Sequence, residues 1–412
     1  MQRLILQQYK QELKRELQNI LYYWTDHTLD TNNGGFTGKI DSDNNVNPTA
    51  PKGSVLNARI LWTFSAAYNQ TPDNHVLDVA NRAYQYFKDH FIDHEHGGVY
   101  WSVSPNGKPL DDKKQIYALA FAIYGLTEYF KASGNREAID YALELYETIE
   151  ERSFDMENEG YFEAFTREWD ELADLRLSAK DDNEKKTMNT HLHVLEAYTN
   201  LYHHWPDENL KDQIARLIKN FIDHLVNKDT YHLILFSDEK WTPKSNAISF
   251  GHDIEAAWLL LEAAEAINNK HLIELVKDLG IKMTYAAANG LDTDGGLWYE
   301  YDPSKNHLVK EKHWWVQAEA MVGFFNAFEL TTDFDFLNKS YQTWEFVKSN
   351  LLDHVNGEWF WGLLPNGEIM PGEDKVGLWK CPYHNSRACI EIIKRIAVYE
   401  NNQLMEIESK YI

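Results

Sequence analysis

A glycine followed by alternating aromatic residues recurs along this chain, in GGFTGKI (34–40), GGVYWSV (97–103), EGYFEAF (159–165), GGLWYEY (295–301) and GEWFWGL (357–363). A sixth copy, TYHLILF (230–236), is degenerate and lacks the glycine. The second residues of the copies stand at 35, 98, 160, 231, 296 and 358, separated by 63, 62, 71, 65 and 62 residues. A fixed period of this length marks supersecondary units that cannot bury their apolar faces alone and must stack on their neighbours.

Between the copies the apolar spacing changes from two residues to that of a helix. QIYALAFAIYGLTEYFKA (115–132), HLHVLEAYTNLYHHW (191–205) and QAEAMVGFFNAFELT (317–331) are apolar over a broad face. NREAIDYALELYETIEERS (135–153) and LKDQIARLIKNFIDHLV (210–226) are amphipathic and precede the next Gly-aromatic segment. Each unit therefore reads as helix, helix, then a short hairpin-like turn. Six such pairs predict an all-α (α/α)6 barrel, with apolar helices inside a ring of amphipathic ones. An open six-repeat solenoid is the alternative, which helices as apolar and aromatic as these disfavour. No Pro/Gly/Ser-rich linker divides the chain, so residues 1–412 read as one catalytic domain, with DDNEKK (181–186) a loop insertion.

Composition narrows the partners. Forty basic against 64 acidic residues give a net charge of −24, which argues against nucleic acid and anionic membrane surfaces. Fourteen Trp supply either a thick core or faces for flat ligands such as sugar rings. The two cysteines, Cys381 and Cys389, form no disulfide framework and fit a reducing compartment. MQRLILQQYKQELKREL has no apolar core, so neither a signal peptide nor a membrane span is expected, and the setting reads as cytoplasmic. A monomer is expected, with a dimer as the alternative.

In a closed ring, positions of equal phase meet at one rim. The openings of the inner helices are NARILW, QIYALA, NTHLHVLE, GHDIEAAW, HWWVQAE and YHNSRACIE. They bring together Arg59, Tyr117, Asn189, His193, His252, Glu255, Trp314, Trp315, Glu319 and His384. Taken singly, each has an ordinary structural explanation: a capped helix start, a surface ion pair, a core indole. Converging from six repeats, they describe a pocket. His252 and His384 come from repeats well apart around the ring and can face a ligand from opposite sides. Two imidazoles straddling one acidic carbon are what inversion at a C–H requires. Arg59 is a fixed counter-charge for the enediolate formed on the way. Glu255, one turn from His252, would orient that imidazole, and Asp253 would serve the helix dipole. DHEHGG (93–98) offers metal-ligand types, but no HExxH or CxxC spacing occurs, and no G-x-G-x-x-G or P-loop does either, so no metal and no cofactor is expected.

GKIDSDNNVNPTAPKGSVLNARILWTFSAAY (38–68), KTMNTHLHVLEAYTNLY (186–202), FGHDIEAAWLLLEAA (250–264), HWWVQAEAMVGF (313–324) and GLWKCPYHNSRACIEI (377–392) resemble, in order and spacing, the cellobiose 2-epimerase branch of the N-acylglucosamine 2-epimerase superfamily. The resemblance covers essentially the whole length. It implies an (α/α)6 barrel and cofactor-independent epimerisation at C2 of the reducing-end glucose of β-1,4-linked disaccharides, cellobiose to glucosyl-mannose and lactose to epilactose. It also implies roles: His252 and His384 as the acid/base pair, Arg59 on the enediolate oxygens, Asn189 and His193 on the reducing sugar, Glu255 supporting His252, Trp315 stacking on the sugar and Trp379 under the second sugar. Ring opening would come first, with His384 passing a proton to the ring oxygen, and rotation about C2–C3 would present both faces. Cys381 departs from the small residue, such as Gly, expected there. An inverting glycoside hydrolase using Glu255 and Glu319 is the competing enzyme, and a non-catalytic sugar-binding scaffold is the competing class.

Overall fold

The computed structural model describes residues 2–409, with side chains over 4–402. Its helices are α1 (Gln2–His27), α2 (Ser54–Gln70), α3 (Asn74–His90), α4 (Ile116–Ser133), α5 (Arg136–Arg152), α6 (Met188–Tyr202), α7 (Glu208–Asn220), α8 (Phe250–Ala266), α9 (Lys270–Ala288), α10 (Trp314–Thr331), α11 (Phe334–Asn350) and α12 (Tyr383–Ser409). The even-numbered helices up to α10 are buried almost all round: α2 buries every residue from Ser54 to Ala67. The odd-numbered ones bury a stripe, as α7 does with Leu210, Ile214, Leu217 and Ile218. A helix apolar on all sides must be enclosed, and one with a stripe needs a single covered face.

The packing follows. Each even helix contacts the next, α2 on α4 through to α10 on α12, and α12 returns to α2. That last contact closes an (α/α)6 barrel and rules out the open solenoid. The odd helices α3 to α11 pack on the even helices before them, and α1 packs on α12, so the two ends of the chain complete one repeat. Close approach inside the ring depends on missing side chains. A Cβ on Gly125 of α4 would stand 2.6 Å from the Ala58 carbonyl oxygen of α2, and one on Gly323 of α10 would stand 2.8 Å from that of Ile254 in α8.

The hairpin-like turns are present in all six repeats, each marked by an antiparallel bridge: Leu29–Phe36, Ile92–Val99, Phe154–Tyr161, Val226–Leu233, Leu291–Leu297 and Leu352–Trp359. The bridge at Leu233 shows that the degenerate copy sits one residue later than its sequence alignment, with His232 in the place of Gly35. Asp30, Asp93, Asp155, Asn227 and Asp353 each accept hydrogen bonds from the amides two and three residues on, which folds the turn locally. The strands after the turns pair between repeats. The strand before each inner helix joins the one that follows the next outer helix, as Lys52–Gly53 does with Ser102–Val103. Asp374–Val376 joins Ile40–Asp41 and closes the circle.

A second repeat went unseen in the sequence. Buried lysines beside the inner helices pair with the turn aspartates: Lys52–Asp30 at 2.8 Å, Lys114–Asp93 at 2.7 Å, Lys186–Asp155 at 2.8 Å, Lys312–Asp292 at 2.8 Å and Lys375–Asp353 at 2.6 Å. The fourth repeat has Ile248 and Asn227 instead, so both partners are absent together and no buried charge is stranded. Asp93 also takes Arg167 at 2.8 Å, so the leading carboxylate of DHEHGG serves this framework. Among the described residues no helix is long and apolar enough to cross a membrane.

Candidate active site

A cavity of about 830 Å³ opens at the end of the barrel where the inner helices begin. Of the residues nominated from sequence, Arg59, Tyr117, Asn189, His193, His252, Glu255, Trp314, Trp315, Trp379 and His384 line it. Glu319 does not. The repeat explains the convergence. The sixth residue of α2, α4, α6, α8 and α10 is Arg59, Phe121, His193, Glu255 and Glu319, and α12 adds Arg387 to the same layer. Neighbours around this layer touch: the Arg59 guanidinium lies 4.0 Å from the Phe121 ring centroid, Phe121 is 4.7 Å from the His193 ring, and Arg387 bonds both Glu255 and Glu319.

Three of the histidines lining the cavity share one arrangement, in which Nδ1 is tethered inside the protein. His384 Nδ1 is 2.7 Å from Glu319 Oε1, His193 Nδ1 is 2.9 Å from Glu196 Oε2, and His252 Nδ1 is 2.8 Å from Ser249 Oγ. Among the described residues Nε2 has no partner in any of them, so it is the nitrogen available for chemistry. A carboxylate partner keeps the proton on Nδ1 and leaves Nε2 a base, whereas a hydroxyl can donate or accept and so permits either tautomer at His252. Burial pushes the His252 pKa down to about 3 and holds His384 well below its ordinary value, with Arg59 and Arg387 adding to the effect at His384. Both rings are therefore neutral in the resting protein. Trp315 bridges them, its ring 4.7 Å from His252 and 5.8 Å from His384.

Arg59 is a buried cation without a carboxylate among the described residues. One terminal nitrogen donates to the Tyr117 hydroxyl at 2.8 Å, the other lies 3.8 Å from Cys381 Sγ, and Nε has no partner. A guanidinium left uncompensated at a cavity wall is a receptor for negative charge.

The acidic residues differ from expectation. Glu255 does not orient His252. Its Oε1 accepts from Arg387 Nη2 at 2.5 Å, and its Oε2 is buried with no partner. Glu319 is not part of the cavity wall. It is the tether of His384, and it shares Arg387 Nη2 at 2.7 Å. Glu196 accepts from Arg387, Tyr383 and His193. Asp253 does more than serve a helix dipole. It accepts from His232 Nδ1 at 2.6 Å and from the Leu233 amide at 2.7 Å, which locks α8 to its turn.

Three carboxyl groups thus surround one guanidinium. Burial and the neighbouring Glu319 push the Glu255 carboxyl up to about 8. Below 4.5 the carboxyl is protonated in both folded and unfolded chains. As pH rises from 4.5 towards about 8, only the unfolded chain ionises, so stability falls across that window. Glu255→Gln should abolish this loss, so the melting temperature of the variant should gain on the parent as pH rises. A constant difference would show that Glu255 is already ionised.

Arg387 and Glu196 were missed in the sequence, as were Ser249, Tyr299, His313 and Trp361. The last three extend the aromatic wall: Tyr299 stacks 3.9 Å from His313, and Trp361 packs 4.5 Å from Trp314. Arg387 had a signal, a charged residue inside the apolar run that follows PYHNS. Trp379 stands at the rim against Trp101 and Tyr117, at 5.8 and 5.9 Å. Glu255, Glu319 and His384 place donor atoms within 4.8 Å of one another, a spacing a metal ion could use, but Arg387 already brings a cation to the two carboxylates. The same spacing is too short for the acid and base of an inverting hydrolase, which stand roughly 6.5–9.5 Å apart.

The sequence profile of the N-acylglucosamine 2-epimerase (GlcNAc 2-epimerase) family matches residues 34–388. A cellobiose 2-epimerase of Bacteroides fragilis is 51% identical over 385 residues, covering 93% of this chain and 98% of that protein. One from Dictyoglomus turgidum is 40% identical, covering 94% and 98%. The structure of cellobiose 2-epimerase from Bacillus thermoamylovorans superposes with a TM-score of 0.90 at 40% identity, over 94% of this chain and all of that one. A GH76 α-mannanase from Bacteroides thetaiotaomicron, 12% identical with a TM-score of 0.65, shares the fold alone.

Proposed function

The chain belongs to the N-acylglucosamine 2-epimerase family of carbohydrate epimerases, and on that premise we propose that it inverts C2 of the reducing-end glucose of β-1,4-linked disaccharides. Cellobiose would become glucosyl-mannose, and lactose would become epilactose. The observation that supports this reading is the pair of neutral imidazoles, His252 from α8 and His384 from α12, each held by Nδ1 and each close to the Trp315 ring in one cavity.

Opening of the pyranose frees the C1 aldehyde: His384 Nε2 takes the proton of the C1 hydroxyl and delivers it to the ring oxygen as the bond from C1 to that oxygen breaks. The aldehyde acidifies the C2 hydrogen. One Nε2 removes that proton, and the electron pair of the C–H bond moves into the C1–C2 double bond of an enediolate. Its negative charge falls to Arg59, whose guanidinium has no carboxylate to satisfy it. Rotation about C2–C3 presents the other face, the second imidazole returns a proton to C2, and ring closure gives mannose. Glu319 holds the His384 proton on Nδ1 and stabilises the imidazolium formed when Nε2 takes up another. Trp315 faces the reducing sugar, with Asn189 and His193 as polar contacts, and Trp379 supports the second sugar.

Proton NMR of cellobiose incubated in deuterated buffer tests this. Glucosyl-mannose carrying deuterium at C2, with both rings retained, is the expected product. Release of free glucose would establish hydrolysis instead, and binding without either change would establish a scaffold.

A further inference from the structure

The sixth repeat departs from the common pattern in two places, and one ion pair joins them. In repeats one to five the short strand leads straight into the inner helix, as Lys312–His313 leads into Trp314. In the sixth, the six residues GLWKCP (377–382) intervene between Val376 and Tyr383. The second departure is in the turn. The position held by Gly35, Gly98, Gly160 and Gly296 elsewhere is Glu358 here, a non-glycine residue at φ 64°. That conformation is strained for a side-chain-bearing residue.

Glu358 is buried and fully engaged. Its Oε1 accepts from Lys380 Nζ at 2.8 Å, from Asn385 Nδ2 at 2.7 Å and from the Trp359 amide at 3.0 Å, and its Oε2 accepts from Trp24 Nε1 at 2.6 Å. Lys380 is buried too, and its ammonium lies 5.2 Å from the Trp314 ring. Lys380 is the middle of the inserted strap. On one side of it Trp379 lines the cavity, and on the other Cys381 contacts Arg59. Asn385 adjoins His384.

We propose that the Glu358–Lys380 pair is a positioning device for the proposed epimerisation, holding the 377–382 strap so that Trp379 meets the distal sugar and His384 meets C2. The turn itself does not need it, because four other repeats close the same turn with glycine. Strain and a buried charge pair are both costs, and in none of the repeats without the strap does a carboxylate hold this position of the turn. Three of the four donors to Glu358 fix the strap, the first turn of α12 and the neighbouring α1. The proposal rests on the reading of His384 and Trp379 given above.

The test uses the full chain and the double variant Glu358→Gly/Lys380→Met. It restores the glycine of the other repeats and strands no charge, so it should melt within a few degrees of the parent. With cellobiose, kcat should fall and KM rise, together lowering kcat/KM by roughly 10–100-fold. Binding of cellobiitol, the reduced disaccharide that cannot react, should weaken by a similar factor to KM. Glu358→Gln, which keeps an acceptor for Lys380 and Asn385, should retain more activity than the double variant. A folded double variant with parental kcat, KM and cellobiitol affinity overturns the inference, as does a loss explained wholly by unfolded protein. A parent that binds cellobiitol but does not epimerise cellobiose overturns the reaction instead, and weakened binding in the variant then still supports the strap.

Discussion

His384→Ala and His252→Ala should each stop net epimerisation, with kcat lower by roughly 10²–10⁴-fold, the usual contribution of a positioned acid or base. The two variants should differ in what remains. In a two-base inversion each imidazole serves one face of C2, so a variant lacking one base can still exchange the proton removed by the other. Residual deuterium uptake should therefore be confined to one epimer in His384→Ala and to the other in His252→Ala, read separately by NMR from cellobiose and from glucosyl-mannose. Either variant converting substrate at more than a tenth of the parental rate would sink the two-base assignment. Acid should oppose the reaction and, through His252, the fold. Stability from the neutral His252 ring is present above 6.5 and is lost as pH falls towards about 3, because the unfolded chain takes up the proton first.

The architecture was legible because the repeat is written twice over, in the Gly-aromatic turns and in the change of period between them. Its weakest point was also local. The fourth copy lost its glycine, and without that marker the register slipped by one residue, from His232 to Tyr231. The Lys–Asp pairs escaped because their partners stand 20 to 31 residues apart, on either side of the turn, and neither residue alone is unusual. At the site, the sequence showed which residues reach the rim, since phase is a local property. It did not show which of them touch, since contacts across the barrel join residues as distant as Glu196 and Arg387. Glu255 was assigned to His252 on helical spacing, a local argument. The ring instead gives Arg387 to Glu255, Glu319 to His384 and Ser249 to His252.

Arg387 is therefore where a single change should cost the fold most. Arg387→Met is close in length and apolar, and it removes the cation that Glu196, Glu255 and Glu319 share. Leaving partners of a buried ion pair uncompensated costs about 3–5 kcal/mol, and here more than one carboxylate would be exposed to that penalty. Protonation relieves part of it, so the destabilisation should shrink as pH is lowered and grow as pH is raised, the sense expected when carboxyl pKa values rise further. Arg387→Lys should recover little, since an ammonium cannot span Glu196 on one side and Glu255 and Glu319 on the other as the planar guanidinium does. Adding Glu319→Gln to Arg387→Met should recover part of the stability and none of the activity, because Glu319 also sets the tautomer of His384. Urea unfolding of the single and double variants across pH measures all of this. A midpoint for Arg387→Met equal to the parent's would mean that the cluster carries no net charge for Arg387 to balance, and the neutral Glu255 would lose its electrostatic basis with it.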